Sequence, residues 1–394
     1  MKRKWWIVSI MVLLEILVCG GILLTLWVGR SAFEGMRFFY ITDTNVKDTL
    51  QETFVVDGPA VLDLEADLGD VTVTGSDGDE VEVVANLNLW GANEEDARRQ
   101  VDVQMTQTGN RITVRVVRPE TIYIGIVNIT GSRADFEIRV PFETSLQLET
   151  DSGDLAVGDV TGAMELETSF GNIQIEDVSG AVSARSSSGD ITLVGLSDGG
   201  DLEAETDFGK MILRNIIADS LTAHSDSGDI QAEEVELNGA LDLETDFGDV
   251  VAVSVDATSY RLVSGSGSLT LDGCSSLLDL KTDFGDIEVR NATEAALTLK
   301  TSSGRVYFSG SLDAEGDHRV ESEFGDVHVI LPADAAFDLE AETDFGSIET
   351  DFAVTVSQFE EKHLTGQVNG GGPLLWMKTS SGDITLESIT GGSD

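Results

Sequence analysis

Pairs of aspartates recur around a glycine throughout this sequence, and carboxylate oxygens are the ligands that Ca²⁺ prefers. One pair flanks Gly228 and an identical pair flanks the next copy of the motif. These candidate metal ligands are Asp226, Asp229, Asp246 and Asp249. Like charges on neighbouring strands repel, and a bridging cation would relieve that repulsion. We expect no resident cofactor, because bulk counterions or an adaptation to salt account for much of this charge. Calcium held by these four aspartates is the alternative.

Paired carboxylates also act as acid and base in glycoside hydrolysis, and some elongated β-helices cleave polysaccharides. Such enzymes need a positioned acid and base, often with a nearby Lys, Arg or metal. Here carboxylates occur everywhere, whereas the basic residues among the repeats are scattered: Lys210, Arg214, Lys281, Arg290, Lys300 and Arg305. We therefore expect no catalytic residues and no enzyme activity, with a polysaccharide-active β-helix enzyme as the alternative.

Histidine and cysteine give no sign of a metal centre. The histidines fall in different copies of the repeat, without the spacing of ligands: His224, His318, His328 and His363. His318 replaces an apolar residue of the repeat, which favours a place in the core. Cys274 stands at a position where other copies of a sequence repeat, described below, have apolar residues. It is therefore expected to be a buried, unreactive residue. Cys19 lies in an apolar N-terminal segment, so an intramolecular disulfide is not expected.

The charge balance restricts the partners. The chain has 394 residues, 71 acidic and 24 basic, and a formal net charge of -47. Nucleic acid requires basic residues, so a nucleic-acid partner is excluded. Electrostatic binding of the folded part to an anionic membrane surface is excluded for the same reason.

A decapeptide such as LDLETDFGDV recurs about every 19 residues, which is the period of a solenoid. The glycines that mark the repeat are Gly153, Gly171, Gly189, Gly209, Gly228, Gly248, Gly267, Gly285, Gly304, Gly325, Gly346 and Gly382. Apolar residues stand seven and five before each glycine and two after it, with polar residues between them, which is the two-residue period of strands. We therefore predict an all-β chain, a β-solenoid (β-helix) of about 19-residue coils. Gly382 follows Gly346 by 36 residues, which predicts one degenerate coil between them.

The repeat glycine and the residue directly before it each lead to a specific structural prediction. The glycine is expected to form a corner with positive φ, which Gly adopts without a Cβ penalty. The residue before it alternates between Ser and Phe from Ser152 to Phe324, and Phe345 then breaks the alternation. We predict that these phenylalanines point into the corner and spread over their serine neighbours, because a ring in every coil would overfill it. An exposed platform that stacks on sugars is the alternative.

The first thirty residues predict a signal-anchor. Residues 5–28 are mostly apolar and, as a helix, would extend roughly 36 Å, enough to cross a bilayer core of about 30 Å. Tryptophans stand at both ends of the segment, and Lys2, Arg3 and Lys4 precede it, which places the N-terminus in the cytoplasm and the rest outside. A cleaved signal peptide and lipidation at Cys19 are the alternatives.

Changes in the hydrophobic pattern along the sequence predict the boundaries of the segments of the chain. Residues 1–30 are the cytoplasmic tail and anchor, 31–51 a juxtamembrane linker, 52–141 a β-rich N-terminal cap, 142–388 the solenoid and 389–394 a polar tail. Within the cap, Asn93 is expected to cap a short helix, and residues 108–110 are expected to form a hairpin turn. The cap would cover the open edge of the first coil.

Several motifs in a fixed order resemble one family. The order is a GDVTV turn, a segment ending in IRVP, repeats of the SSGDI type, LPADAAFDLEAETDFG, and a closing NGGGPLLWMKTSSGDI. It resembles the bacterial putative-adhesin family, envelope proteins built on a domain of unknown function with β-strand repeats, over about residues 52–388. The resemblance implies a β-solenoid outside the cytoplasmic membrane and no defined catalytic residues. Relatives of this type often accompany envelope-stress regulators.

These observations predict a non-enzymatic, membrane-anchored extracytoplasmic protein that acts in adhesion or envelope interaction through the surface of its rod. The expected partners are the membrane, through residues 5–28, and a glycan or protein ligand at the cell surface. The alternative is an accessory role in envelope-stress signalling, in which the anchor meets a membrane partner.

Overall fold

The computed structural model describes residues 44–91, 93–118 and 131–389. Thirty β-strands and one short helix account for its regular structure, so the all-β expectation is confirmed. The predicted anchor at residues 5–28 lies outside the described residues, as do most of the linker and of the polar tail. Within the described ranges, no helix is long and apolar enough to cross a bilayer.

The first strands lie at one end of the molecule. They are β1 (Thr44–Val55), β2 (Ala60–Leu68), β3 (Val71–Ser76), β4 (Glu80–Gly91), β5 (Asp102–Thr108), β6 (Arg111–Val117) and β7 (Arg133–Pro141), with helix α1 (Glu94–Arg98) between β4 and β5. The helix begins after Asn93, whose side chain accepts a hydrogen bond from the Asp96 amide, and β5 and β6 pair as an antiparallel hairpin. Both features confirm the sequence-based expectation.

The repeated coils supply the other strands. They are β8 (Thr144–Ser152), β9 (Leu155–Gly158), β10 (Met164–Phe170), β11 (Ile173–Glu176), β12 (Val182–Ser188), β13 (Ile191–Phe208), β14 (Met211–Ser227), β15 (Ile230–Leu237), β16 (Ala240–Phe247), β17 (Val250–Asp256), β18 (Ser259–Ser266), β19 (Leu269–Asp272), β20 (Ser275–Phe284), β21 (Ile287–Ser303), β22 (Val306–Leu312), β23 (His318–Phe324), β24 (Val327–Pro332), β25 (Phe337–Phe345), β26 (Ile348–Thr350), β27 (Val354–Glu360), β28 (His363–Val368), β29 (Leu374–Ser381) and β30 (Ile384–Ile389).

Each coil places one strand segment before its glycine and one after it, and each segment pairs in parallel with its counterpart in the next coil. In the first sheet β10 lies between β8 and β12, with Met164 opposite residues of both. In the second sheet β11 lies between β9 and β13 in the same way. The strands β13, β14 and β21 are long because they continue from one sheet of a coil towards the next coil. This stacking confirms the predicted β-solenoid.

The core lies between the sheets and is filled by the predicted apolar columns. In the coil of Gly248, Leu241, Leu243 and Val250 are fully buried. The aromatic exception, Tyr260, is also buried, and its hydroxyl donates to the Val255 carbonyl at 2.7 Å. One coil cannot bury its apolar faces alone, so stability comes from contacts between neighbouring coils.

At the N-terminal end the chain order differs from the stacking order. The strands β2 and β3 form a coil on Gly69 that pairs in parallel with β8 and β9. The strands β6 and β7 stack in parallel on the other side of that coil. Antiparallel β4 then pairs with β7, β1 pairs with β4, and β5 pairs with β6. Paired strands therefore cover what would otherwise be an open sheet edge.

The C-terminal end contains a second reordering, and the prediction of a degenerate coil between Gly346 and Gly382 is wrong. Strand β29 pairs in parallel with β23 on one side and with β25 on the other. The coil of Gly382 therefore lies between the coils of Gly325 and Gly346. The intervening residues form the antiparallel hairpin of β27 and β28, which pairs with β25 and covers the last coil.

Candidate functional site

The phenylalanines before the corner glycines point to solvent, so the prediction that they fill the corner is wrong. Between 61% and 78% of the surface of each of these six residues is exposed. We call them the Phe row: Phe170, Phe208, Phe247, Phe284, Phe324 and Phe345. The pairing of β10 with its neighbours skips Ser169, between Thr168 and Phe170. The alternation of faces therefore ends at Thr168, and the ring leaves the core side of the strand.

A buried hydroxyl occupies the inner side of the corner instead. The Ser or Thr three residues before each glycine is buried, and in every coil but the first its hydroxyl donates to the glycine carbonyl of the preceding coil in the stack. Thr245 Oγ1, for example, donates to the Gly228 oxygen at 3.0 Å. In the first repeat coil, Thr150 Oγ1 has no hydrogen-bond partner within the described residues. The constant Ser or Thr column is thus explained by a polar group that needs a short hydroxyl as its partner.

The glycines are required by close approach of backbones, and the positive φ expected for the column is wrong for most of it. Among the repeat glycines only Gly153 and Gly325 have φ between +20° and +160°, at +159° and +154°. A Cβ on Gly248 would lie 2.2 Å from the Gly228 oxygen, and the same contact recurs from coil to coil. Any side chain would force neighbouring coils apart at the corner.

The aspartate after the glycine ties one coil to the next. Asp229 Oδ1 accepts a hydrogen bond from the Asp249 amide at 2.9 Å, and Asp249 Oδ1 accepts one from the Ser268 amide at 2.7 Å. Hydrogen bonds from the Ser347 amide and hydroxyl lower the pKa of Asp383 in the same column. Two of the four calcium candidates, Asp229 and Asp249, therefore each use one oxygen to hold the stack.

The other two candidates, Asp226 and Asp246, are exposed on the opposite side of the glycine. Asp226 Oδ1 lies 3.3 Å from His224 Nε2. The described residues contain no group of three or more His, Cys, Asp or Glu side chains that could hold a metal ion. The structure thus brings the four aspartates to one corner, on two sides of the Phe row.

The spatial alternation of Phe and Ser is complete. Ser381 pairs with both Phe324 and Phe345, so the apparent break in the sequence disappears once the coils are placed in stacking order. At the other end Leu68 lies opposite Ser152, which extends the alternation with an apolar residue. Successive rings are two strand spacings apart, about 10 Å, and the whole row extends roughly 50 Å.

An acidic residue directly precedes most of the phenylalanines of the Phe row along the chain, and these acidic residues form a line beside the Phe row. We call this line, with the matching residues of two serine coils, the carboxylate column: Asp151, Asp207, Asp226, Asp246, Asp283, Glu323 and Asp344. Apart from the contact between Asp226 and His224, no ion pair of the described residues includes a member. Apart from Asp226, the carboxylate column is therefore negative charge without a fixed partner, and each member is exposed except the half-buried Asp207.

The outward face of the first sheet differs in part, because arginines pair with several of its acidic residues. Arg185 reaches Glu203 at 2.7 Å and Glu205 at 3.1 Å, across one coil boundary. Arg261 reaches Asp242 at 2.7 Å and Glu244 at 2.6 Å. Both arginines donate hydrogen bonds to these carboxylates, which raises the pKa of each guanidinium. The arginines of this face thus neutralise some of its carboxylates, whereas the corner carboxylates have no such partner.

The remaining candidates behave as core or scattered residues. His318 is buried, with Nδ1 accepting from the Leu297 amide at 3.4 Å and Nε2 lying 3.1 Å from the Asp313 oxygen. Cys274 is buried and free, and burial raises the pKa of its thiol to about 12. The expected core positions of His318 and Cys274 are confirmed.

One signal in the sequence could have identified the Phe row as a surface feature. The core columns mix residues freely: the column five before the glycine contains Leu148, Ala184, Val320 and Met377, for example. The Phe column contains only Phe or Ser. Cores accept varied apolar residues of suitable volume, whereas this column does not vary in that way.

The structure defines the protein as an all-β solenoid, in which the repeat glycines of successive coils lie in contact at one corner. The chain matches the model of the Toastrack DUF4097 family over residues 61–272 and again over residues 214–387. Because these matches span well over half of its 394 residues, the chain belongs to that family. The sequence-based resemblance to a family of unknown function is confirmed.

Several crystal structures are similar to the chain at low identity. A putative adhesin from Bacteroides fragilis is 15% identical, with 62% of this chain and 97% of that chain covered and a TM-score of 0.38. A putative cell adhesion protein from Clostridium sporogenes is 10% identical, with 87% and 100% covered and a TM-score of 0.17. A putative adhesin from Parabacteroides distasonis is 10% identical, with 87% and 97% covered and a TM-score of 0.22. No curated protein matches the chain.

Proposed function

We propose that this chain is a non-enzymatic, membrane-anchored adhesin that binds its target outside the cytoplasmic membrane through the Phe row. The observation that carries the proposal is the exposure of six phenylalanine rings in one line along the rod. Extended exposed apolar surface that is rimmed by polar residues often marks a site where a partner binds. Aromatic side chains are also enriched among the residues that supply most of the binding energy at interfaces.

The proposed anchor supports this role by placing the rod outside. Residues 5–28 are long and apolar enough to span a bilayer as a helix, and the basic residues before them favour a cytoplasmic N-terminus. A rod held at one end would present the Phe row along its length. Membrane fractions washed with alkaline carbonate should retain the full chain, and external protease should degrade the repeats. Release of the chain by the wash would contradict the anchor.

Adhesion is tested with cells that display the full chain and with surfaces coated with glycans or matrix proteins. The test variant carries Phe208→Ser, Phe247→Ser and Phe284→Ser, which places the serine of the alternate coils at three ring positions. The control variant removes three exposed apolar residues elsewhere: Ile217→Ser, Leu277→Ser and Val356→Ser. Cells with the test variant should lose retention while control cells keep it. Equal retention of the two variants would overturn the proposal.

A further inference from the structure

The ligand of the Phe row must suit a corner where a line of apolar rings lies beside a line of unpaired negative charge. Phe208 is preceded by Asp207, Phe247 by Asp246 and Phe284 by Asp283, and none of the three carboxylates is in an ion pair of the described residues. On the other side of the corner, Lys210 and Arg305 are the basic residues after the glycine. Arg305 is already paired with Asp286 at 2.7 Å. The net field along the row therefore favours a cationic partner.

The identity of the rings narrows the chemistry further. Every ring in the row is Phe, and none is Tyr or Trp. Tyr and Trp carry a polar group that hydrogen-bonds at the edge of a contact, and Phe does not. A phenyl face accepts apolar groups or a cation such as lysine ammonium or guanidinium. A partner rich in hydroxyls would gain less from such a row than a partner with alternating apolar and basic groups.

The spacing of the rings selects the shape of the partner. Rings two coils apart are separated by about 9.6 Å. Residues seven positions apart on one face of an α-helix are separated by about 10.5 Å. The difference of about 1 Å per step is small enough to be absorbed by side-chain rotamers over three or four rings. An extended strand has same-face residues about 6.6 Å apart and does not match.

We propose that the Phe row and the carboxylate column together bind a cationic amphipathic α-helix, with apolar residues between the rings and Lys or Arg against the carboxylates. This inference rests on the proposed adhesion function, because it names the ligand class of the same surface. The helix lies along the rod, so its length decides how many rings it engages.

The direct test uses a labelled synthetic helix of about 28 residues, with leucine on one face and lysine elsewhere. Its binding to the full chain is followed by fluorescence anisotropy at low and physiological salt. A peptide of the same composition with the face scrambled, and a helix with Glu in place of Lys, serve as peptide controls. The full chain should bind the Leu/Lys helix more tightly than either control, with an affinity that falls as salt rises.

Two variants separate specific docking from general attraction to an acidic protein. The Phe208→Ser, Phe247→Ser, Phe284→Ser variant should lower the affinity by about tenfold or more. The variant Asp207→Asn, Asp246→Asn, Asp283→Asn should also lower it and weaken its dependence on salt. A matched charge control carries Glu236→Gln, Asp256→Asn and Glu315→Gln, three exposed acids away from the row. The control should stay within about twofold of the wild-type affinity. Circular dichroism confirms that each variant is folded.

The outcomes distinguish this inference from the adhesion proposal. If the charge control loses as much affinity as the Asp207 variant, the helix is held by net charge and the inference is overturned. If chitin oligosaccharides bind in a Phe-dependent way and the helix does not, the row is a glycan platform; the inference fails while adhesion through the row stands. If displayed cells adhere equally with and without the rings, the adhesion proposal itself fails.

Discussion

Ser381 pairs with Phe324, although a complete coil and a hairpin separate them along the chain. Its other neighbour is Phe345, so a serine lies between two rings at the point where the sequence places the two phenylalanines in successive repeats. The alternation therefore follows the order of stacking, and it persists where that order departs from the order of synthesis. Because the rings are exposed, the alternation sets the spacing of a surface feature and not the volume of the core.

Exposure of the column makes the effect of adding a ring predictable. Ser227 lies between Phe208 and Phe247 on the outside of the corner. Ser227→Phe should change the free energy of unfolding by less than about 0.5 kcal/mol, as is usual for surface substitutions. The matched control is Ser225→Phe, two residues earlier, where the side chain is fully buried. The control should lose about 1–3 kcal/mol or more through overpacking. Urea denaturation measures the change in the free energy of unfolding for both variants. A comparable loss in Ser227→Phe would indicate that the side chains of this column face the core.

The contact between glycine backbones makes the corner intolerant of even a methyl group. A Cβ on Gly248 would meet the Gly228 oxygen at 2.2 Å, whereas a Cβ on Gly158 would meet the Glu176 oxygen at 3.7 Å, an ordinary contact. Gly248→Ala should therefore destabilise the protein by about 1–3 kcal/mol, because two coils must separate at the corner. Gly158→Ala should be close to neutral. Thermal unfolding monitored by circular dichroism distinguishes them, and equal melting temperatures would contradict the steric explanation.

The buried hydroxyl column gives a second matched pair. Thr245 Oγ1 donates to the Gly228 oxygen at 3.0 Å, and Thr150 Oγ1 has no partner within the described residues. Thr245→Val should cost about 1 kcal/mol, the net value of a typical hydrogen bond together with an unsatisfied carbonyl. Thr150→Val should be neutral or stabilising, because it removes a buried polar group that gains nothing in the fold. Urea titration gives the two differences, and an equal cost at both sites would show that the hydrogen bond to the glycine oxygen contributes no stability.

The sequence alone was sufficient for the solenoid because local pattern and tertiary contact coincide in such a fold. Each apolar column is read directly from the repeat, and Leu241, Leu243 and Val250 are buried as their spacing indicates. Each residue contacts its counterpart one repeat away, so the period also predicts the pairing. The short helix after Asn93 was equally accessible, because a cap and acidic residues at a helix start are local signals.

Features that depend on order in space were not accessible from the sequence. Nothing in the repeat indicates that β29 enters between β23 and β25, since a coil fits any neighbour with the same columns. The direction of the Phe side chains was missed for a related reason. Strict alternation from Thr245 would place Phe247 inside, but the corner ends the strand, and the Thr245 hydroxyl already occupies the inner side.

His318 predicts a specific dependence of stability on pH. Burial lowers the pKa of this imidazole in the folded protein, against the raising effects of the Asp313 carbonyl and of the carboxylates of Asp313 and Asp317. The unfolded chain, with a pKa near 6.5, therefore takes up a proton first as the pH falls. The contribution of His318 to the free energy of unfolding is fully present above about pH 6.5 and decreases below it.

The substitution His318→Leu removes the titrating imidazole. The variant should therefore lose less stability between pH 7.5 and pH 5.5 than the wild type does. Because the substitution also removes the contact with the Leu297 amide, the slope with pH is compared and not the absolute stability. Urea denaturation at several pH values measures both slopes, and identical slopes would show that His318 is not held neutral by the fold.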